Sequence, residues 1–258
     1  MCGRLVISEP DLSVFVEPFH VQQVDAAEWQ PRFNLAPTQL APLITNEPER
    51  HLSLARFGLI PYWADDPKIA NRLINARSEG AARSKVFKPA LQARRGVIPA
   101  NGYFEWRATA HGKRPIFIHD ARGQALALAA LWEQWRDPNG DLIRSFAVLT
   151  RASEGFLTEI HDRMPCVLRP QDVEAWLDAE QPPLPKLTTI LQAAAGEVEH
   201  LTGRWVSALA NSPRNDGPEC IAEADEPEPQ PAAAAERQLT LFEGIAAAAR
   251  PRRARTTR

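Results

Sequence analysis

The chain is short of cysteine, of long apolar runs and of net charge, and each shortage removes a class of protein. Its three cysteines, Cys2, Cys166 and Cys220, are odd in number and widely spaced. They form neither a disulfide framework nor a zinc-ligand pattern, which suits a reduced, cytoplasmic setting. The longest apolar run covers 125–132, far below the ~20 residues that span a bilayer. The N-terminus has no apolar signal-peptide core. A net charge of −2 gives no global pull toward nucleic acid or an anionic membrane. There is no internal repeat, helix-turn-helix or zinc finger. With 258 residues there is room for a sizeable core in one large domain or two small ones.

What is present starts at Met1-Cys2-Gly3-Arg4. Cys2 is a small second residue, so a methionine aminopeptidase could remove Met1 and leave an N-terminal cysteine. Such a residue carries an α-amine with a pKa near ~8 and a thiol near ~8.5 that a cation such as Arg4 would lower. This 1,2-aminothiol reacts with aldehydes: the amine forms a Schiff base and the thiol closes a five-membered thiazolidine. Read alone, the four residues also suit a Cys2 that is only the second residue of a chain.

Residues 68–95 hold eight Lys or Arg against one acid, Glu79, a local charge of +7. Such a run is commonly a solvated face, but the excess also fits a phosphate-contacting surface. Trp63 and Phe87 offer stacking faces beside it. In the segment 102–106, GYFEW, Glu105 sits among aromatics, where an unpaired carboxylate has a raised pKa, as a general acid or base near neutrality requires. The same pattern suits an outward Glu on an edge strand. His161, between a short helix and Asp162-Arg163, suits acid–base work or a structural role.

Local patterning predicts a short helix over 10–20 ended by Pro18, an irregular loop over 31–39, and strands at 51–60, 97–98, 115–119, 125–132 and 145–150. It predicts a helix over 153–160 capped by Ser153, and a second over 171–178 with Val173, Trp176 and Leu177 toward the core. Residues 203–222 read as a short strand followed by a Pro/Asn/Gly-rich loop. From about residue 225 the composition turns to Pro, Ala, Glu and Arg, which predicts a disordered tail. The division is thus 1–224 for the folded part and 225–258 for the tail. The tail's large apolar residues cluster around Gln238-Leu239-Thr240-Leu241-Phe242, as in a short docking motif.

Seven segments, MCGR at the start, NLAPTQ (34–39), FGLIPYW (57–63), INARSE (74–79), GYFEW (102–106), IHDRMP (160–165) and NSPRNDGPEC (211–220), together resemble the SRAP family (SOS-response-associated peptidase, the abasic-site-shielding proteins). The resemblance spans about 2–222 in the expected order. It implies an α+β fold with a curved, mostly antiparallel, barrel-like sheet core and peripheral helices. It also implies a basic channel for single-stranded DNA with Cys2 at its floor. There the Cys2 amine would attack C1′ of a ring-opened abasic site and the thiol would close the thiazolidine, shielding the lesion by a covalent crosslink. Asn75 matches the family asparagine at the sugar, Glu105 the carboxylate near the amine, and His161 the acid–base for ring opening. Arg4, Arg77, Arg163, Arg83 and Lys85 are candidate phosphate ligands. Trp63, Trp106 and Phe87 are candidate stacking or wedging residues, and Asn34 and Thr150 either line the pocket or are structural. No metal or organic cofactor is implied, and a monomer in the cytoplasm, near the nucleoid and replication fork, is expected.

The tail segment Gln238, Leu239, Leu241 and Phe242 looks like the motif by which bacterial proteins dock on the replicative sliding clamp, with Thr240 in place of the commoner Ser or Asp. Two other readings stay open. One is a cysteine peptidase that removes its own Met1 with Cys2 as nucleophile and His161 and Glu105 as helpers. The other is a non-catalytic single-stranded DNA-binding clamp adaptor.

Overall fold

The computed structural model describes residues 2–226, His111 and Gln181 excepted. Met1 and the tail motif at 238–242 lie outside the described residues.

The architecture is α+β and mostly strand. Five long or central strands build a barrel: β4 (Leu40–Thr45), β5 (His51–Phe57), β7 (Arg95–Ala100), β10 (Leu126–Arg136) and β11 (Leu142–Ala152). They hydrogen-bond in the order β11-β10-β7-β4-β5. The ring closes because β5 returns to β11 in a parallel pairing, Ser145 beside Arg56 and Phe146 beside Phe57. Closure removes the open edges that a five-stranded sheet would expose. Short strands extend it: β2 (Gln23–Asp25) on β5, and β6 (Asn75–Arg77) and β12 (Arg163–Pro165) on β11.

The apolar run at 125–132 explains why both barrel faces are covered. Alternation sends successive residues of β10 to opposite sides. Leu128, Ala130 and Trp132 join Phe57, Phe146 and Ile98 in one buried cluster, and the Phe57 and Phe146 rings stack at 5.1 Å. Ala127, Ala129 and Leu131 face the other way. There they pack with four short helices, α1 (Ser78–Ala81), α2 (Lys88–Ala93), α3 (Pro170–Trp176) and α4 (Leu184–Ala193). Val173, Trp176 and Leu177 sit in that helical core as expected, and the Trp176 indole donates to the Gly96 carbonyl at 2.9 Å.

A second sheet packs onto the first cluster, to which it contributes Leu5, Tyr103 and Ile118. It contains β1 (Leu5–Ile7), β3 (Arg32–Leu35), β8 (Gly102–Thr109), β9 (Gly112–Asp120) and β13 (Leu201–Trp205), in the order β13-β9-β8-β1-β3. Gly102 is required for β8 to lie this close to β9. A Cβ there would meet the Ile118 carbonyl oxygen at 2.4 Å and the Phe117 ring at 2.5 Å.

Several local expectations need correction. The segment 31–39 is not a loop throughout, because β3 forms within it. The helix over 10–20 shrinks to one 3-10 turn, Leu12–Phe15, with the Asp11 side chain capping Ser13 N at 2.9 Å. The turn at Gly155–Glu159 is also 3-10 and has Glu154, not Ser153, at its N-cap. Ser153 N instead donates to the Asp162 carbonyl at 3.0 Å. No helix among the described residues is long and apolar enough to cross a membrane.

Candidate active site

Cys2 stands just ahead of β1, and β1 lies between β8 and β3. Leu5 pairs with Tyr103 and Val6 with Gly102, while Phe104 N donates to the Arg4 carbonyl at 3.0 Å. This antiparallel register runs the chain start back along β8 toward Glu105. Asn75 reaches the same point from the barrel. It opens β6, which is fixed in parallel on β11 with Val148 beside Asn75. Its Nδ2 donates to the Cys2 carbonyl at 2.9 Å. Two separate sheets thus meet at Cys2.

Glu105 and Tyr103 are two apart on β8 and share one face, whereas Phe104 between them packs with Phe117 and Val6 on the other. Tyr103 is fully buried in the cluster that contains Cys2. Its hydroxyl has no hydrogen-bond partner among the described residues. Sequence reading missed Tyr103 as a site residue; its place two before Glu105 in a strand was the available signal.

The electrostatics of this pocket reverse one expectation. Cys2 is completely buried. Burial and the Glu105 charge together push its thiol far above the usual range, so it is protonated at neutral pH. Arg4 does not lower it, because the Arg4 guanidinium points to the Asn34 Oδ1 at 2.7 Å and the Ala210 carbonyl at 3.1 Å. Burial likewise raises the Glu105 carboxyl, with the His161 charge pulling the other way. The Tyr103 hydroxyl is raised by burial first, with the Glu105 charge adding to it. Glu105 is thus within electrostatic reach of Cys2, Tyr103 and His161.

His161 follows the 3-10 turn at Gly155–Glu159. Its Nδ1 lies 2.9 Å from Arg163 N and 2.8 Å from an Asp162 carboxylate oxygen. One nitrogen cannot accept from the first and donate to the second at once. The ring is held between the Arg163 N–H and the Asp162 carboxylate. Arg163 itself binds Glu79 through two bonds of 2.8 Å and the Thr150 carbonyl at 2.6 Å. That pair holds Glu79 at about 2. Arg163 serves as an internal strut here, and a phosphate would have to displace Glu79. Thr150, fully buried, belongs to the same strut.

The basic run divides into two groups. Arg94 pairs with the buried Glu133 at 2.6 Å, and Arg95 is itself buried. Lys68, Arg72, Arg77, Arg83, Lys85 and Lys88 are exposed and have no ion-pair partner among the described residues. Of the aromatics, Trp63 is 51% exposed beside Tyr62 at 62%, a pair of free faces of which only Trp63 was anticipated. Trp106 is half-buried under the Arg4 guanidinium, 5.6 Å from its ring centre, with its indole N–H on Asn211 Oδ1 at 2.7 Å. Phe87 is partly buried, packed against the helical core. A cleft of about 640 Å³ near Phe15, Phe19, Leu126 and Val173 includes none of Cys2, Asn75, Glu105 and His161. Among the described residues no group of three or more His, Cys, Asp or Glu is placed to hold a metal ion.

The arrangement is similar to known proteins along most of its length. The chain is 34% identical over 227 residues to the abasic site processing protein YedK of Escherichia coli (strain K12), covering 86% of this chain and 99% of that one. It is 32% identical over 224 residues to the abasic site processing protein YoqW of Bacillus subtilis (strain 168), again over 86% and 99%. A crystal structure of a Bacteroides thetaiotaomicron protein superposes with a TM-score of 0.76 at 20% identity, covering 87% of this chain and all of that one, which shows a shared fold. The profile described as SOS response associated peptidase (SRAP) matches residues 1–213. The chain belongs to the SRAP family.

Proposed function

We propose that this protein processes abasic sites in single-stranded DNA and shields them by a thiazolidine crosslink formed at Cys2 after Met1 is removed. The observation that carries the reading is the Asn75 bond to the Cys2 carbonyl beside a buried Glu105 whose charge acts on the Cys2 thiol and is in turn acted on by His161. The names of the relatives support the substrate.

Removal of Met1 consumes one water and frees the Cys2 α-amine. The Asn75 bond to the Cys2 carbonyl fixes the backbone, and with it the direction of amine and thiol. The amine adds to the C1′ aldehyde of the ring-opened sugar, and loss of water leaves an imine. The thiol then adds to the imine carbon. The S–C bond forms, the thiol proton leaves, and the ring nitrogen gains a proton. One water is released overall from aldehyde and aminothiol. Because burial keeps the thiol protonated, the ring closure needs a base. Glu105 takes that proton and returns it to nitrogen. His161, held between the Arg163 N–H and the Asp162 carboxylate, opens the sugar ring. The exposed cations from Lys68 to Lys88 hold the phosphates, and Trp63 and Trp106 contact bases.

The test is direct. An oligonucleotide with one abasic site should give a heat-stable, slow-migrating band, and undamaged DNA should give none. Equal binding to both with no adduct would leave only a DNA-binding module. The pH dependence follows from Glu105. Ring closure needs its ionised form, so the rate should fall as pH drops through its pKa. Burial places that limb above the ~4.3 of a free glutamate. Glu105→Gln should lower the single-turnover rate by about 10²-fold or more and remove the limb. A variant with an unchanged acidic limb would show that another group is the base.

We also propose that Gln238–Phe242 docks on the replicative sliding clamp. A peptide of 236–244 should bind the clamp, and Leu241→Ala with Phe242→Ala should abolish it. A peptide without measurable binding would end the idea.

A further inference from the structure

The conspicuous NSPRNDGPEC segment plays no part in the chemistry above, yet it is tied to the site by a dense set of bonds. Among the described residues the outer edge of β3 has no strand neighbour. Its register against β1 shifts between Leu5 and Ile7, and the N–H groups of Phe33 and Asn34 are taken up by one oxygen of Asp216, at 2.8 and 2.6 Å. The other Asp216 oxygen is paired with Arg32. Asn34 is fully buried. Its Nδ2 faces the carbonyls of Ala210, Ser212 and Asn215 at 3.2, 3.0 and 2.8 Å, so one side-chain amide gathers the whole turn. Its Oδ1 is the acceptor for Arg4 at 2.7 Å. The loop's Asn211 holds the indole of Trp106, over which Arg4 lies. Behind it, Ala210 and Cys220 are buried with Val6, Phe104 and Phe117.

We propose that Asp216 and Asn34 are positioning residues: they latch the 211–217 loop onto β3 and so hold Arg4, two residues from Cys2, in the orientation that meets a DNA phosphate. An arginine side chain has five donors. Asn34 and Ala210 share one nitrogen of Arg4, which orients the fork and leaves its remaining donors to a ligand. The same contacts order a side chain rich in rotamer freedom before DNA arrives. Arg4 is half-buried; desolvation disfavours its charge, and the Asp216 carboxylate acts to restore it.

The proposal rests on the reading of Arg4 as a phosphate ligand, and a double-mutant cycle separates the two. Binding of an undamaged oligothymidylate is measured from 50 to 200 mM salt. Arg4→Ala should weaken binding roughly three- to tenfold and flatten the slope of log K against log salt by about 0.7, one single-strand phosphate contact. Asp216→Ala should do the same, and the double variant should be no worse than either. The rate of adduct formation at saturating abasic DNA should stay within about twofold for Asp216→Ala, since the loss is in binding. Asp216→Asn keeps the acceptor for the two N–H groups, so it should bind close to the parent, and it serves where Asp216→Ala fails to fold. If Arg4→Ala leaves the slope unchanged, the phosphate reading of Arg4 is wrong. Should Arg4→Ala flatten the slope while Asp216→Ala lowers only the melting temperature, or should the two losses add, the latch is merely structural and the proposal is overturned.

Discussion

A chain carrying one extra residue ahead of Cys2 is expected to form no heat-stable adduct with abasic DNA, although its thiol is intact. The reason is that the reaction needs the amine and the thiol on adjacent carbons. An amide nitrogen does not condense with an aldehyde. The thiol alone gives at most a reversible hemithioacetal. Intramolecular ring closure has an effective molarity that can reach ~10⁵ M or more, and without the imine there is nothing to close onto. The expected loss of heat-stable product is therefore at least about 10³-fold. Cys2→Ser and Cys2→Ala make the complementary case. Each keeps an amine once Met1 is removed and lacks the thiol, so each should give an imine that borohydride traps and heat destroys. The raised pKa of the buried thiol sharpens the point, because a thiolate acting alone is not available near neutrality. An extended chain that still gave the full heat-stable band would place the chemistry on the thiol and contradict the mechanism.

The second large effect is on stability. Arg95→Met should destabilise the fold by at least about 3 kcal/mol, a large fraction of a typical 5–15 kcal/mol. Arg95 is fully buried and its three nitrogens donate to five carbonyls. Those of Leu91 and Gln92 belong to the end of α2, and those of Trp176, Asp178 and Glu180 to the end of α3 and the turn beyond it. The last carbonyls of a helix have no intrahelical partner, and a cation there also meets the negative end of the helix. Methionine fills much of the stem volume and satisfies none of the oxygens. Each buried acceptor left unpaired costs roughly 1–3 kcal/mol, and water entering the gap recovers part. Urea unfolding should show the shift, with the salt slope of DNA binding in the folded protein unchanged. Arg83→Ala with Lys85→Ala is the contrast. Both side chains are exposed, so stability should move by less than about 0.5 kcal/mol while the salt slope flattens by up to about 1.4.

That contrast also marks how far the sequence could be read. Glu105 among aromatics, Asn75 in INARSE and His161 before Asp162 were legible because each sits in a short, recognisable segment. The β10 strand was legible because an unbroken apolar run suits a strand buried on both faces. What was not legible depends on partners far away in the chain. The +7 stretch looks uniform, but only a fold places Glu133 against Arg94, 39 residues on, and helix ends around Arg95. Arg163 reads as a free cation until Glu79, 84 residues earlier, is set beside it. The segment at 31–39 has loop composition and still holds a strand, because Asp216 supplies acceptors to its edge from 182 and 183 positions away. The direction of the Cys2 thiol shift was misjudged for the same reason. Arg4 is a neighbour in sequence, whereas burial against Tyr103 and Glu105 comes from the sheet.

The most direct test is the intact mass of the purified protein before and after reaction with an abasic oligonucleotide, followed by thiol counting. The account predicts a protein lacking Met1 and an adduct equal to protein plus DNA minus one water. An imine has that same mass, so the denatured adduct is alkylated with iodoacetamide. Of the three cysteines, two should then react, because the Cys2 sulfur is in the ring. An adduct with all three thiols reactive, or one formed with Met1 still attached, would contradict the thiazolidine.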